Sequence, residues 1–462
     1  MTDSNDTICA VSTPAGTGGI AVIRVSGPQA TDIVARNWNG SDINSMQSHT
    51  AHLGHITDSN GNLLDQTVLT LYRSPNSFTG EDVVEIACHG SAWIQQQLVS
   101  TLIDSGCRLA QPGEFTRRAF ANGRMDLSQA EAVADVIAAT SEAAHRVALN
   151  QMRGNFGRRL NELRDRLLQF VSLIELELDF SEEDVTFANR DQLLALAHEI
   201  SDEVNRLALS YHDGNAIRNG IPVAIVGPTN AGKSTLLNAL LGDDRALVSD
   251  IHGTTRDVIE DTVNMGGIMF RFIDTAGIRE SDDTIEAMGI ARSFTMLDRA
   301  RIVLWVTDAT TPEGDIKDFA GRILPHCSDK HVIAIVNKAD LTPATTAIDT
   351  VGALVSDNDD SLLMSAHNAD DVNRLRDIIT AAATLPSTGD NDVIVTNARH
   401  YEALTRAGEA ISRAIDGIGT GLSGDLVSQD IRECMHYLGT ITGEITTTDI
   451  LANIFAHFCI GK

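Results

Sequence analysis

Lysine is nearly missing from this chain: Lys233, Lys317, Lys330, Lys338 and Lys462 are the only five among 462 residues. With 35 Lys+Arg against 63 Asp+Glu, the formal net charge is −28. Clustered cations are what grip a polynucleotide backbone. A chain of this composition is poorly suited to hold RNA by itself, and such a role calls for a partner that supplies them. The nearest basic tract, Arg146, Arg153, Arg158, Arg159, Arg164 and Arg166, reads as a solvated helix face. Cysteine is sparse as well. Cys9, Cys88, Cys107, Cys327, Cys434 and Cys459 form no C-x-x-C pair, which argues against a zinc knuckle or a disulfide framework. No apolar run approaches the roughly 18 residues of a membrane span. Met1-Thr2-Asp3-Ser4-Asn5-Asp6 lacks the basic start of a secretion signal. The expectation is a cytoplasmic chain without a membrane segment, long enough for two to four domains by the roughly 150-residue domain rule.

What the sequence does carry is a phosphate loop. Gly227-Pro228-Thr229-Asn230-Ala231-Gly232-Lys233-Ser234 fits G-x-x-x-x-G-K-[ST]. The apolar run 223–226 before it reads as a buried strand and 234–241 as a helix, the context this motif requires. The glycines let backbone N–H groups close on phosphates, Lys233 brings a charge to the β/γ oxygens, and Ser234 offers its hydroxyl to Mg2+. Asn230, Ala231 and Thr235 complete the loop.

Further motifs follow in the order such a protein needs. Asp274-Thr275-Ala276-Gly277 comes after the strand-like 269–273. That places Asp274 at the magnesium shell and the Gly277 N–H near the γ-phosphate. Thr255, within Gly253-Thr254-Thr255-Arg256-Asp257, can complete the magnesium coordination. Asn337-Lys338-Ala339-Asp340 closes the apolar run 331–336. A carboxylate at 340 accepts from both the ring N–H and the exocyclic amine of guanine, a pattern adenine does not present. The expected ligand is GTP, and Ser365-Ala366 fits the turn that completes a base pocket. The glutamine that often orients the attacking water is absent, because Ile278 follows the D-T-A-G motif. The acidic segment 280–286 is an available replacement, although by composition it reads as a solvated face. A monovalent cation held at Asn230 can take the place of an arginine finger.

Around this unit the pattern changes. To about residue 118, short apolar runs alternate with turns, an α+β signature. Ser128 with Glu131 reads as a capping box that opens a helical stretch in which Val133, Val136, Ile137, Val147 and Ala148 recur. Leu160, Leu163, Leu167, Val171, Ile174 and Leu178 form the stripe of a second helix, and helix returns after about residue 396. The predicted architecture is multidomain. An α+β N-terminal domain covers 1–118, a discontinuous α-helical domain covers 119–216 and 385–462, and an α/β P-loop GTPase domain is inserted at 217–384.

With these motifs in place the chain resembles the MnmE (TrmE) family of tRNA modification GTPases over essentially its whole length. The resemblance rests on the GTP motifs together with Ser77-Phe78-Thr79-Gly80-Glu81-Asp82, Pro112-Gly113-Glu114-Phe115-Thr116, Asp126-Leu127-Ser128-Gln129-Ala130-Glu131 and the terminal Phe458-Cys459-Ile460-Gly461-Lys462. It implies a GTPase activated by K+, with the cation held by Asn230, Ser249, Ile251 and Thr254 in a nucleotide-contacting segment that also includes Asp250, His252 and Gly253. It implies that Glu286 positions the attacking water and that the GTPase domains of a homodimer meet face to face. The activity implied is addition of a carboxymethylaminomethyl-type group to C5 of the wobble uridine of certain tRNAs, with the FAD-dependent MnmG (GidA) protein as partner.

The one-carbon unit would come from 5,10-methylene- or 5-formyl-tetrahydrofolate. The resemblance places it against Arg24, Glu85, Arg124 and Lys462, and Cys459 near it. Taken alone, Arg24, Glu85 and Arg124 read as surface ion-pair members and Cys459 as the end of a packed helix. Two departures are visible. Thr229 separates Pro228 from Asn230, where the family usually has proline directly before the asparagine. Arg124 stands where many relatives have lysine, which keeps the charge but changes its geometry. The rival reading is a regulatory switch GTPase of ribosome or RNA assembly, with a folate-sensing domain and no modification activity.

Overall fold

In a computed structural model the chain is described at residues 6–179, 190–242, 261–273, 297–341, 345–356, 359–383, 393–446, 448–456, 458 and 461. It divides into two compact units, one of residues 1–134, 151–201 and 406–462, the other of 135–150 and 202–405. Among the described residues no helix is long and apolar enough to cross a membrane.

The first unit carries a seven-stranded sheet: β1 (Ile8–Val11), β2 (Ile20–Ser26), β3 (Trp38–Asn39), β4 (Thr50–Thr57), β5 (Leu63–Tyr72), β6 (Val83–His89) and β7 (Arg108–Leu109), in the order β3-β4-β5-β6-β2-β1-β7. Period-two alternation sets its inner face. Along β5 the residues Asp65, Thr67, Leu69 and Leu71 are buried while Gln66 and Val68 face out. The helix Ala92–Asp104 turns Leu98 and Leu102 into the core that holds Ile23, Val25, Leu69 and Ile86. The helical part packs Asn155–Asp179 against Gly424–Thr442. Leu160, Leu163, Leu167, Val171 and Ile174 are buried as the helical stripe predicts, whereas the side chain of Leu178 lies outside the described residues.

The capping box is displaced from its predicted place. The helix begins at Leu127, with Asp126 Oδ1 accepting from the Gln129 N–H at 2.8 Å and Gln129 Oε1 accepting from the Asp126 N–H at 2.9 Å. An aspartate is a strong N-cap, and the reciprocal pair forms two residues earlier than Ser128 and Glu131 suggest. Ser128 instead donates to Asp126. The helical stretch is also divided, into Leu127–Ala138 and Glu142–Met152.

The second unit is built on β8 (Ile221–Val226), β9 (Asp261–Met265), β10 (Ile268–Phe272), β11 (Ile302–Asp308), β12 (His331–Asn337) and β13 (Asp360–Leu363), in the order β13-β12-β11-β8-β10-β9. All neighbours are parallel except β9 and β10, which form an edge hairpin. β8, β11 and β12 are buried almost end to end, as apolar runs in a sheet covered on both faces must be. Multidomain α+β, helical and inserted α/β elements are all present.

Candidate nucleotide site

β8 ends at Val226, and the chain turns through 227–232 into the helix Lys233–Leu241. Two glycines are required by close approach. A Cβ at Gly227 would lie 2.0 Å from Val306 O, and one at Gly232, where φ is 94°, would lie 2.2 Å from Asn337 Nδ2. Asn230 holds the left-handed φ of 63° at the apex of the loop, a conformation asparagine tolerates better than most residues. Lys233 Nζ folds back to donate to Gly227 O at 2.8 Å and Pro228 O at 2.7 Å. Desolvation lowers its pKa, so the ammonium sits where a phosphate would repay its lost hydration.

The base side is formed at the ends of β12 and β13. Asn337 is 2% exposed. Its Nδ2 donates to Ala231 O and its Oδ1 accepts from the Ala366 N–H, both at 3.0 Å. One carboxamide thus ties the phosphate loop to the Ser365-Ala366 turn. Ala339 donates to Met364 O and Ser365 donates to Asp371 Oδ2 at 2.9 Å, which holds the two segments side by side. The result is a cavity of about 380 Å³ lined by Ala339, Asp340, Ser365, His367, Asn368 and Asp371. Asp340 is exposed in it, and the Ser365 hydroxyl, foremost among its partners, holds the carboxyl below its ordinary value. The acceptor is therefore ionised at neutral pH and faces the space a purine edge would fill.

Lys338 reaches the Asp308 carboxylate. Burial works to raise the Asp308 pKa, but hydrogen bonds from Lys338 and Thr310 outweigh it and keep the group low. Sequence reasoning missed Asp308, His367, Asn368 and Asp371. Only Asp308 had a signal, a carboxylate at the C-terminal end of a parallel apolar strand.

The loop brings Asn230, Ala231, Gly232, Lys233, Ser234 and Thr235 together at one helix N-terminus, and Asn337, Lys338, Asp340, Ser365 and Ala366 beside them. Ser249, Asp250, Ile251, His252, Gly253, Thr254, Thr255, Asp274, Thr275, Ala276, Gly277 and Glu286 lie outside the described residues, as do Cys459 and Lys462.

On the N-terminal sheet the register of β2 and β6 sets Arg24 opposite Glu85. The pair closes with Arg24 Nε donating to Glu85 Oε1 at 2.9 Å. The guanidinium lies 5.2 Å from the Phe78 ring centroid and 5.6 Å from that of Phe115. Behind it runs an ionic chain. Glu114, 1% exposed, accepts from Arg108 at 2.6 Å and from the Gln111 N–H at 2.8 Å, and Arg118 joins it to Glu81. Arg124 is exposed on the turn after Gly123, its stem 3.1 Å from where a Gly80 Cβ would stand.

The fold and the two halves of the site define a P-loop protein that selects guanine. A model of the MnmE helical domain matches residues 127–459, and one of the TrmE N-terminus, described as a GTP-binding protein, matches 7–124. The "tRNA modification GTPase MnmE" of Parabacteroides distasonis is 53% identical over 461 residues, 99% of this chain and 100% of that one. The proteins of the same name from Bacteroides thetaiotaomicron and Flavobacterium johnsoniae are 52% and 47% identical, each match covering 99% of this chain and 100% of the relative. The chain belongs to the MnmE/TrmE family.

Proposed function

We propose that this chain is a GTP-hydrolysing enzyme that acts in tRNA modification. The observation that carries the reading is the Asn337 carboxamide, which joins a phosphate-binding loop to the pocket that holds the Asp340 acceptor. Hydrolysis breaks the bond between the γ-phosphorus and the β–γ bridging oxygen as water attacks, giving GDP and phosphate. Backbone N–H groups at the start of the helix Lys233–Leu241 and the Lys233 ammonium stand ready for the charge that moves onto the phosphate oxygens.

Ser234 and Thr255 would hold Mg2+, with Asp274 in its outer shell. Asn230, Ser249, Ile251 and Thr254 would hold K+, which would bring the positive charge that an arginine finger supplies elsewhere. Glu286 is proposed to place the attacking water. The Asn230 side of this set fits, since its left-handed apex sits beside the phosphate cradle.

The finer activity we propose is addition of a carboxymethylaminomethyl-type group at C5 of wobble uridine, together with the FAD-dependent partner, by a cytoplasmic homodimer. The folate would lie against Arg24, Glu85, Arg124 and Lys462. The Arg24–Glu85 pair beside the half-buried Phe78 ring supports this, because a pterin needs a planar apolar surface and a carboxylate, and a glutamyl tail needs a cation. Cys459 is proposed to serve the modification. Its neighbours support the placement: Ser12 Oγ donates to Gly461 O at 3.0 Å, and a Cβ on Gly113 would lie 2.8 Å from Phe455 O. We further propose the domain limits 1–118, 119–216 with 385–462, and 217–384.

Two measurements test the reading. GTP hydrolysis in K+ should far exceed that in Na+, and equal rates would remove K+ from the mechanism. A nucleoside mass profile of tRNA from cells lacking the protein should lose the C5-modified wobble uridine; an unchanged profile would favour the regulatory switch.

A further inference from the structure

Along the chain the hairpin of β9 and β10 lies between two nucleotide motifs. The chain enters β9 three residues after the 253–257 motif and leaves β10 through Ile273 into the 274–277 motif. Its turn is Gly266-Gly267, with φ of 59° and 78°, the two-residue loop that suits tightly twisted hairpins. The tip is in contact on two sides. Asn264 Nδ2 donates to Thr140 O at 3.3 Å, and Gly267 O accepts from the Ala143 N–H at 3.5 Å, at the unsatisfied first turn of the helix Glu142–Met152. On the other side a Cβ at Gly266 would lie 2.8 Å from Thr380 Cγ2, beside a cleft of about 340 Å³ lined by Asn264, Gly266, Arg376 and Asp377 among others.

The helix that the tip touches belongs to a junction. Val147 packs with Ile217 of the helix Tyr211–Asn219 and with Ile394, and Ala143 and Ala144 join the same cluster. Ser210 Oγ accepts from the Val395 N–H at 3.0 Å, and a Cβ on Gly214 would lie 2.1 Å from Val395 O. The chain running into β8 and the chain returning after β13 are therefore bound to each other and to the helix that receives the hairpin.

We propose that the β9–β10 hairpin is a lever that carries the nucleotide state to this junction through Asn264, Gly266 and Gly267. A strand pair holds its own register, so a shift at the phosphate end appears at the tip and changes the hydrogen bonds to Thr140 and Ala143. The inference rests on the reading of 253–257 and 274–277 as nucleotide-sensing.

Hydrogen exchange of the full-length chain, with GDP and with a non-hydrolysable GTP analogue, tests it. In the native chain, amides of 142–150 should change protection between the two nucleotides along with those of 253–277. Asn264→Ala, at an exposed position, should reduce the 142–150 response about threefold or more while the 253–277 response persists. Gly266→Ala, which presses on Thr380, should alter the 142–150 protection even with GDP. A response at 253–277 with none at 142–150 in the native chain would overturn the lever alone. Silence at both would overturn the sensing reading with it. An undiminished 142–150 response in Asn264→Ala would also overturn the lever.

Discussion

Removing the carboxamide of Asn337 strands two buried partners at once, the Ala231 carbonyl and the Ala366 N–H. Asn337→Ala should therefore weaken guanine-nucleotide binding by about 1–3 kcal/mol, read as GDP affinity by fluorescence titration. Affinity within twofold of the parent would mean the tie is ornamental. Asp340→Asn should also lose affinity, because an amide cannot accept from both guanine donors, yet leave the rate of bound GTP hydrolysis unchanged in single-turnover assays. Glu286→Ala should do the reverse, and a parental rate would shift water placement to Glu280 or Asp283. The residues of this site were legible in the sequence because phosphate and base chemistry demands fixed local spacing. Asp308 and Asp371 were not singled out, since neither belongs to a motif: Asp308 meets Lys338, 30 residues on, through the pairing of β11 with β12, and Asp371 meets the Ser365 N–H through a turn. Arg24 and Glu85 are 61 positions apart, and only the register of β2 with β6 joins them.

Elements were readable where one periodicity ran unbroken, as in Asn155–Asp179 and the buried parallel strands. They were misread where two cap candidates competed. The Asp126–Gln129 box gives a direct test: Asp126→Ala should cost about 1 kcal/mol, seen as a lower urea midpoint, and no change would return the cap to Ser128. The loop-to-helix element 108–121 gives a second. Burial pushes the Glu114 carboxyl up, but Arg108, the Gln111 N–H and Arg118 together hold it below its ordinary value. A depressed folded-state pKa means stability present above the unfolded value and lost as pH falls through the folded one. The urea midpoint should drop on acidification through that window, and Glu114→Gln should flatten the drop. Equal slopes in the two proteins would place the acid sensitivity elsewhere.

Across the whole molecule, three arginines of the tract meet carboxylates of the chain itself: Arg159 pairs with Glu162, Arg164 with Glu444 and Arg166 with Glu199. Arg164 departs from the solvated-face reading, since its side chain is only 17% exposed. Which segments fold together was less legible, because it depends on contacts between residues far apart in the chain. Cys459→Ser should leave K+-stimulated GTP hydrolysis intact while wobble-uridine modification in cells carrying only the variant drops severely; loss of both would mean the tail serves the motor. The first unit takes its residues from three stretches, 1–134, 151–201 and 406–462, and the second is drawn mainly from 202–405. During synthesis the first of these stretches emerges early yet stays incomplete until the last has left the ribosome, while the guanine-binding unit between them can close first. A nascent chain interrupted after 405 but before 406–462 is made would thus hold a finished nucleotide binder and an unfinished helical part of the first unit, so such ribosome-bound intermediates should bind GTP before the helix Asn155–Asp179, whose packing partner is Gly424–Thr442, resists protease.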